Sequence, residues 1–199
     1  MNRILALAAA PLLVGLAAGC ATPSYHSPVE VTRFTSAPGS ALPRGLVGVR
    51  PAPGEDATDP AYPAYQTAVT EQLTAAGFQV VGGDAPYVAL INVERALLEA
   101  GRGRGPVSVG GGASTGSYGS GVGLGIGLDL TPPPPDEIDT TLGVSIRPSA
   151  GGDAIWEGRA RFSASANNEY AEPTAAAGKV AAALFQGFPG NSGETIEVE

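Results

Sequence analysis

The sequence predicts an α+β domain built as a two-layer sandwich, in which a mostly antiparallel sheet of about five to six strands carries two helices on one face. Segments with apolar residues at every second position alternate with two segments in which apolar residues recur at helical spacing. A strand with one apolar face and a helix with one apolar stripe must each pack against a second element to bury their apolar residues. The 199 residues, 43% of them hydrophobic, suffice for one core, so a single domain is expected over residues 29–199.

Residues 1–19 are predicted to be a lipoprotein signal peptide. Arg3 precedes the apolar run Ile4–Val14, which has the length of a signal-peptide core and is shorter than the about 20 residues that span a membrane. The following Leu-Ala-Ala-Gly-Cys stretch resembles the lipobox cut by bacterial lipoprotein signal peptidase. Cys20 is the only cysteine, and an unpaired thiol is a liability in an oxidising compartment. We therefore expect lipidation of Cys20, with palmitate-type acyl chains that anchor the protein stably.

Residues 20–28 are predicted to be a lipidated tether, because this stretch is polar and interrupted by prolines. Ala21 at the second mature position resembles the outer-membrane sorting pattern, so the expected location is the periplasmic face of the outer membrane. His26, the only histidine, lies in this tether without a second histidine, a cysteine or a carboxylate cluster beside it. No metal site is predicted there.

The first half of the domain is predicted to contain two strands and a helix. Val29–Phe34 and Leu46–Arg50 show strand alternation. Asp59 and Pro60 then form an N-cap and first-turn pair, and the helix ends at Gly77. Between them, apolar residues recur at helical spacing at Tyr65, Val69, Leu73 and Ala76.

The second half is predicted to contain four more strands. Phe78–Val81 is a short strand, and Tyr87–Leu98 is a longer one whose end is alternatively helical. Leu142–Arg147 and Ala154–Ala164 form an antiparallel pair turned at residues 149–153.

A second helix completes the predicted domain. It runs from Pro173 to about Gly187, with an apolar stripe that packs across the sheet. Trp156, in the strand before this helix, is predicted to fill the core rather than to form a ligand platform.

Residues 101–137 are predicted to be a glycine- and proline-rich insert. The glycine spacing does not indicate a phosphate-binding loop, because no lysine followed by serine or threonine comes after it. Residues 122–128 alternate apolar side chains with glycine and predict a hairpin with residues 106–112. This hairpin is interpreted as a flexible protrusion, with backbone pairing or membrane insertion as alternatives. Residues 132–135 are a proline run that serves as a stiff connector or a ligand for a partner.

The composition provides little support for an enzyme or a nucleic-acid binder. Cleavage after residue 19 removes Arg3 from the 11 basic side chains and leaves 19 acidic ones, a formal charge of −9 that opposes nucleic-acid binding. Nucleophilic catalysis lacks its usual partners, since the single histidine and cysteine lie in the tether and anchor. We therefore predict no enzyme, no catalytic residue and no cofactor. The sequence alone does not indicate which of its carboxylates lie close together in space, among them Glu55, Asp56, Asp84, Asp129, Asp136, Glu137 and Glu157.

Four segments resemble a known family. They are Gly-Val-Gly-Leu-Gly-Ile-Gly-Leu at 121–128, Thr-Leu-Gly-Val-Ser-Ile-Arg at 141–147, Ile-Trp-Glu-Gly-Arg-Ala at 155–160 and Ala-Leu-Phe-Gln-Gly-Phe-Pro-Gly at 183–190. Together they resemble the domain of unknown function 4136 family of bacterial envelope lipoproteins, over roughly residues 29–198. The resemblance implies a lipoprotein with one α+β domain and supplies no catalytic residues.

The expected function is therefore a non-catalytic binding or structural role in the cell envelope. The expected partners are the membrane, through the lipid anchor on Cys20, and an envelope protein or polymer; nucleic acid is not one of them. The alternative is an oligomeric assembly or secretion component that uses the glycine-rich hairpin for pairing or membrane insertion. The sequence leaves the oligomeric state open.

Overall fold

The computed structural model describes residues 23–36, 42, 44–100, 107–116, 119–128 and 134–199. Cys20 and the predicted signal peptide lie outside these residues, as does Asp129. The chain divides into two units, of which the larger comprises residues 24–99 and 136–199 and the smaller contains the glycine-rich hairpin. The elements are β1 (Val29–Thr35), β2 (Leu46–Pro51), α1 (Tyr62–Ala75), β3 (Gln79–Val80), β4 (Tyr87–Leu98), β5 (Val107–Gly116), β6 (Gly119–Leu128), β7 (Glu137–Pro148), β8 (Trp156–Ser165), α2 (Pro173–Phe185) and β9 (Glu194–Val198).

The larger unit is built on a seven-stranded sheet with the order β3-β2-β4-β7-β8-β1-β9. β2 runs parallel to β3 and β4, and the remaining neighbours are antiparallel. The α+β class is as predicted, but the sheet exceeds the five to six strands expected. The missed strand is β9, which pairs with β1 from the opposite end of the chain. Its glutamates at 194 and 197 give it the composition of a polar tail, and local pattern carries no signal of so distant a partner.

One face of the sheet and both helices share a hydrophobic core. Alternate residues of the central strands are buried, as in Ala89 and Ile91 on β4 and Val144 and Ile146 on β7. Trp156 is fully buried, as predicted for a core residue, and its Nε1 donates to the carbonyl of Pro189 at 2.9 Å. The buried side chains of α1 and α2 belong to the same cluster. The opposite face of the central strands is therefore left to polar and partly exposed residues.

Helix α1 begins later than predicted and ends as predicted. Its N-cap is Ala61, with Pro63 in the first turn, whereas Asp59 forms a preceding turn by accepting from the Ala61 amide at 2.7 Å. The predicted Asp59–Pro60 start is therefore wrong, because the aspartate caps a turn before the helix. Gly77 has φ +94° and donates to the Thr74 carbonyl, while the Phe78 amide donates to Leu73. This Schellman arrangement stops the helix at the predicted glycine.

The predicted antiparallel pair of the second half is confirmed as β7 and β8. β4 is a strand along its whole length and pairs with β7 from Tyr87–Pro148 to Leu98–Glu137, so the helical alternative for its end is wrong. Each β4 residue in this ladder has a β7 partner, and this tertiary pairing overrides the helix-compatible residues at 94–98.

The described part of the predicted tether follows the sheet. The Ser27 amide donates to Ser163 at 2.8 Å, the Ser165 amide donates to Tyr25 at 3.0 Å, and His26 forms an isolated bridge with Ala164. Serine-rich extended backbone here continues the pairing of β1 along β8. From Ser24 onward the chain is therefore attached to the folded unit instead of being free of it.

In the smaller unit, β5 and β6 form a two-stranded antiparallel sheet. Val107 lies opposite Leu128 and Val109 opposite Ile126, whereas Gly110 lies opposite Gly125. No helix among the described residues is long and apolar enough to cross a membrane.

Candidate binding groove on the exposed sheet face

The face of the sheet opposite the core carries a concavity of about 580 Å³, the sheet-face groove. Its residues come from β1, β4, β7 and β8 and from the segment that follows β2. They are Thr32, Phe34, Ala52, Pro53, Leu90, Asn92, Gly143, Val144, Ser145, Arg147, Glu157, Gly158 and Arg159. The groove is thus assembled from strands that are distant in sequence and adjacent in the sheet.

Gly143 explains why this face is concave. It lies between Asn92 of β4 and Arg159 of β8, both of which bear polar side chains. A Cβ at position 143 would lie 3.7 Å from the Asn92 Cβ, an ordinary contact, so the space is open to a side chain but the sequence leaves it empty. Phe34, with 54% of its surface exposed, adds an aromatic ring at the side. An exposed apolar concavity of this kind is typical of an interaction site.

The charged groups of the groove are only loosely paired. Arg147 Nη2 lies 3.8 Å from Glu157 Oε1, and Arg159 Nη2 lies 3.7 Å from Glu94 Oε2. Exposed ion pairs at such distances contribute little to stability. Arg147 Nη2 also donates to Ser145 Oγ at 3.1 Å, so the Arg159 guanidinium is the freer of the two to contact a ligand. The residues that line the groove thus include two arginines and one glutamate, and Glu94, the partner of Arg159, lies outside the lining.

A polar concavity of about 430 Å³ adjoins the groove and shares Thr32 and Arg159 with it. Here the Arg161 guanidinium donates to the Asp139 carboxylate, from Nε to both oxygens at 3.1 Å and from Nη2 to Oδ2 at 2.6 Å. The hydrogen bond and charge of Asp139 raise the pKa of Arg161 above its usual value. These two side chains satisfy each other, so this concavity offers less unpaired charge than the groove.

A third concavity, the edge pocket, has a volume of about 360 Å³ and lies beside β4. The Glu55 carboxylate in its wall accepts from Asn92 Nδ2 at 2.8 Å and from the Val93 amide at 2.9 Å. The buried Tyr62 hydroxyl has no hydrogen-bond partner, and burial followed by the Glu55 charge raises the pKa of this phenol. Glu55 is thereby committed to holding the loop on β4.

The structure does not bring the sequence-derived carboxylates into one site. Glu157 lines the sheet-face groove and Glu55 lines the edge pocket. Asp56 instead accepts from the Thr58 amide and hydroxyl, and these hydrogen bonds lower the pKa of its carboxyl. Within the described ranges, no three His, Cys, Asp or Glu side chains are grouped to hold a metal ion.

The principal members of the groove, Phe34, Gly143 and Arg159, are not predicted from the sequence. Their only signal is position, because each alternates along its strand with a buried residue. Which outward residues become neighbours depends on strand register, and local sequence does not define that register.

No family model matches the chain. It is 39% identical over 64 residues to an uncharacterized protein of Zymomonas mobilis, a match that covers 32% of this chain and 24% of that protein. The chain thus spans about a quarter of the curated relative it matches. Among solved structures, it is similar to a PDZ domain protein from Parabacteroides distasonis, with a TM-score of 0.49, 11% identity and coverage of 87% of this chain and 38% of that one. It is also similar to the PelC dodecamer from Paraburkholderia phytofirmans, with a TM-score of 0.43, 14% identity and coverage of 78% and 94%.

Proposed function

We propose that this chain is a non-catalytic binding protein of the cell envelope, held by lipid on Cys20 at the periplasmic face of the outer membrane. The observation that carries the binding role is the sheet-face groove, with Phe34 at its side and two loosely paired arginines. Both helices pack on the core face in a two-layer arrangement, and this leaves the grooved face open to a partner. The resemblance to the domain of unknown function 4136 family supports the lipoprotein assignment.

The ligand that best matches the groove is an envelope polysaccharide. Backbone N–H and C=O groups in the middle of a sheet are used by neighbouring strands, so the face offers side-chain groups alone. The Arg159 guanidinium and the remaining hydrogen-bonding capacity of Asn92, Ser145 and Arg147, which also bond to protein groups, suit hydroxyl and carboxylate groups. Phe34 supplies an apolar surface. An extended peptide would leave its backbone amides with few partners on this face.

Cosedimentation of the Cys20→Ser chain with purified Gram-negative peptidoglycan and outer-membrane polysaccharide tests this function. Gly143→Leu places a side chain in the groove where the backbone has room for it. We expect binding of at least one polymer and at least about tenfold weaker binding by Gly143→Leu, equivalent to about 1.4 kcal/mol. Gly178→Leu on α2, where an added Cβ meets nothing within 4 Å, is the matched control and should bind normally.

Two results would contradict the proposal at different points. If the Cys20→Ser chain cosediments with neither polymer, the polysaccharide ligand is rejected. Equal binding by the Gly143→Leu and Gly178→Leu chains would reject the groove as the binding surface.

The lipid anchor has its own test. Growth with radiolabelled palmitate should label the chain, and Cys20→Ala should abolish both the label and fractionation with the outer membrane. A Cys20→Ala chain that still fractionates entirely with the outer membrane would rule out this anchor.

The register of β5 and β6 favours a second candidate function, oligomeric assembly through the hairpin. Apolar residues lie opposite one another at Val107–Leu128, Val109–Ile126 and Ala113–Val122. Paired residues share a face of a two-stranded sheet, so one face gathers the apolar positions. Deletion of residues 107–128 should then reduce the number of subunits in the native species, and an unchanged number of subunits would eliminate assembly through this segment.

A further inference from the structure

Strand β4 has an edge that is paired over only part of its length. β7 pairs with all of β4, whereas β2 pairs on the other side only from Tyr87 to Ile91. On that side the Ala52 amide donates to Ile91 and the Glu55 carboxylate accepts from Val93. Beyond Val93, no strand in the described part of the chain pairs with this edge.

The direction of the backbone N–H and C=O groups alternates along β4, and this alternation shows which residues have unpaired backbone groups at the open edge. Because Ile91 and Val93 direct their backbone groups to the β2 side, Arg95 and Leu97 do the same. Leu97 and Leu98 are 60% and 48% exposed. The strand therefore ends in an open edge bordered by apolar side chains.

The two outer edges of the sheet are protected by different means. β3 has only two residues, and β9 carries Glu194 and Glu197, whose charges oppose pairing with another acidic strand. Residues 96–98 of β4 are uncharged and belong to a twelve-residue strand, and an open edge of this kind is a template for another strand.

We propose that the open edge of β4 pairs with the same edge of a second copy of this chain, antiparallel about a two-fold axis through Leu97. This register sets Leu97 opposite Leu97, Ala96 opposite Leu98, and Arg95 opposite Glu99. Each pair is apolar or of opposite charge, which favours cross-strand association. An isologous contact of this kind closes as a dimer.

The environment of Arg95 favours this register over the registers shifted by one or two residues. Arg95 Nη2 donates to the Ala171 carbonyl at 2.6 Å, but its buried Nε has no hydrogen-bond partner. The axis through Leu97 places the carboxylate of Glu99 from the second copy on the same face as Arg95. An axis through Arg95 would oppose two arginines, and an axis through Ala96 would set Arg95 opposite Leu97 and Glu99 opposite Val93, so neither charge would meet its opposite.

The edge pocket provides space for the incoming strand. Its wall includes Val93, Arg95 and Ala96 on one side and the segment from Glu55 to Tyr62 on the other. In the proposed register the second copy's residues after Leu97 run toward this concavity. Space and unpaired backbone thus occur at the same end of β4.

Disulfide trapping tests both the partner and the register. In the Cys20→Ser chain, which has no other cysteine, Leu97→Cys places two thiols across the axis at a Cα separation of about 5.5 Å. A disulfide requires about 4.4–6.8 Å, so mild oxidation should produce a covalent dimer. The matched Leu98→Cys chain has its two thiols at diagonal positions about 7–8 Å apart and should remain uncrosslinked. Absence of the Leu97→Cys dimer, or equal dimer from both variants, would overturn the proposal.

Sedimentation equilibrium gives a second readout that does not depend on oxidation. The Cys20→Ser chain should approach a dimeric mass as its concentration rises. Leu97→Pro removes an edge amide that no β7 residue uses, so it should give a monomer with unchanged circular dichroism. The control is Leu46→Lys, which changes an exposed leucine of β2 and should dimerise normally. Proline is not used at this position because β2 is paired on both sides. A parent chain that stays monomeric throughout, or a Leu97→Pro chain that still dimerises, would refute edge pairing.

Discussion

Gly158 of β8 should be the least replaceable glycine of the core. A Cβ built at this position would lie 2.5 Å from Trp156 Cη2 and 2.7 Å from Leu184 Cδ1. Both neighbours are fully buried, so neither ring nor methyl can move into solvent. Gly158→Ala therefore forces the β8 backbone and α2 apart, a change that interiors packed at crystal density resist.

The expected magnitude follows from two opposing contributions. Overpacking a filled core costs about 1–3 kcal/mol, and three contacts below 3 Å place this case near the upper limit. Replacing glycine by alanine in a strand recovers about 0.5–1 kcal/mol of backbone entropy. The net loss in the free energy of unfolding should be about 2 kcal/mol, which lowers Tm by about 4–8 °C for a chain of this size.

Thermal unfolding followed by near-ultraviolet circular dichroism is the appropriate assay, because Trp156 is the only tryptophan and reports on this part of the core. Gly178→Ala in α2 is the matched control. Its added Cβ meets nothing within 4 Å, and alanine favours a helix over glycine by about 1 kcal/mol, so Tm should rise by about 2–4 °C. A Gly158→Ala chain with a Tm at or above that of the parent would refute the packing of Trp156 against α2.

Three further substitutions test other contacts. Gly190→Ala should destabilise the chain by about 1–2 kcal/mol in urea unfolding, because φ is +75° and the new Cβ would lie 2.6 Å from Arg33 Nη1. Trp156→Phe should cost about 1–3 kcal/mol in the same assay, because the Pro189 carbonyl loses its buried donor. Tyr62→Phe should be neutral or stabilising near pH 8, since the hydroxyl it removes is buried without a partner. Burial raises the folded-state pKa of Tyr62, so the folded chain disfavours the phenolate. The parent chain should therefore lose stability as the pH rises above about 10, the unfolded pKa. Urea unfolding at pH 8 and 11 should show a smaller alkaline loss of stability for Tyr62→Phe.

The fold was predictable where the signal is local. The C-terminus of α1 depends on Gly77 and its immediate neighbours, and the alternation of β7 and β8 is visible within each strand. The start of α1 was misplaced because Asp59 suits both a helix cap and the turn it actually forms. β9 was missed because its partner β1 is at the far end of the chain.

The candidate site was not predictable in the same way. Phe34, Gly143 and Arg159 lie on three strands, and only the registers of β1 with β8 and of β8 with β7 bring them to one groove. The pairing of Ser27 and Ser165 with their neighbours was likewise hidden, because polar residues near a proline resemble a linker until a strand lies beside them. The alternation of residue types within each strand indicates which side chains are exposed. The pairing of strands that are distant in sequence determines which exposed side chains become neighbours.

Photo-crosslinking in intact cells tests the proposed function most directly. A photoreactive residue at Phe34, on the sheet-face groove, should capture an envelope polysaccharide and give a high-mass product that glycan-degrading enzymes collapse. The same residue at Leu46, a leucine that is 40% exposed and does not line the groove, should give little product. Equal products at the two positions, or a product at Phe34 that only protease removes, would contradict a polysaccharide-binding groove.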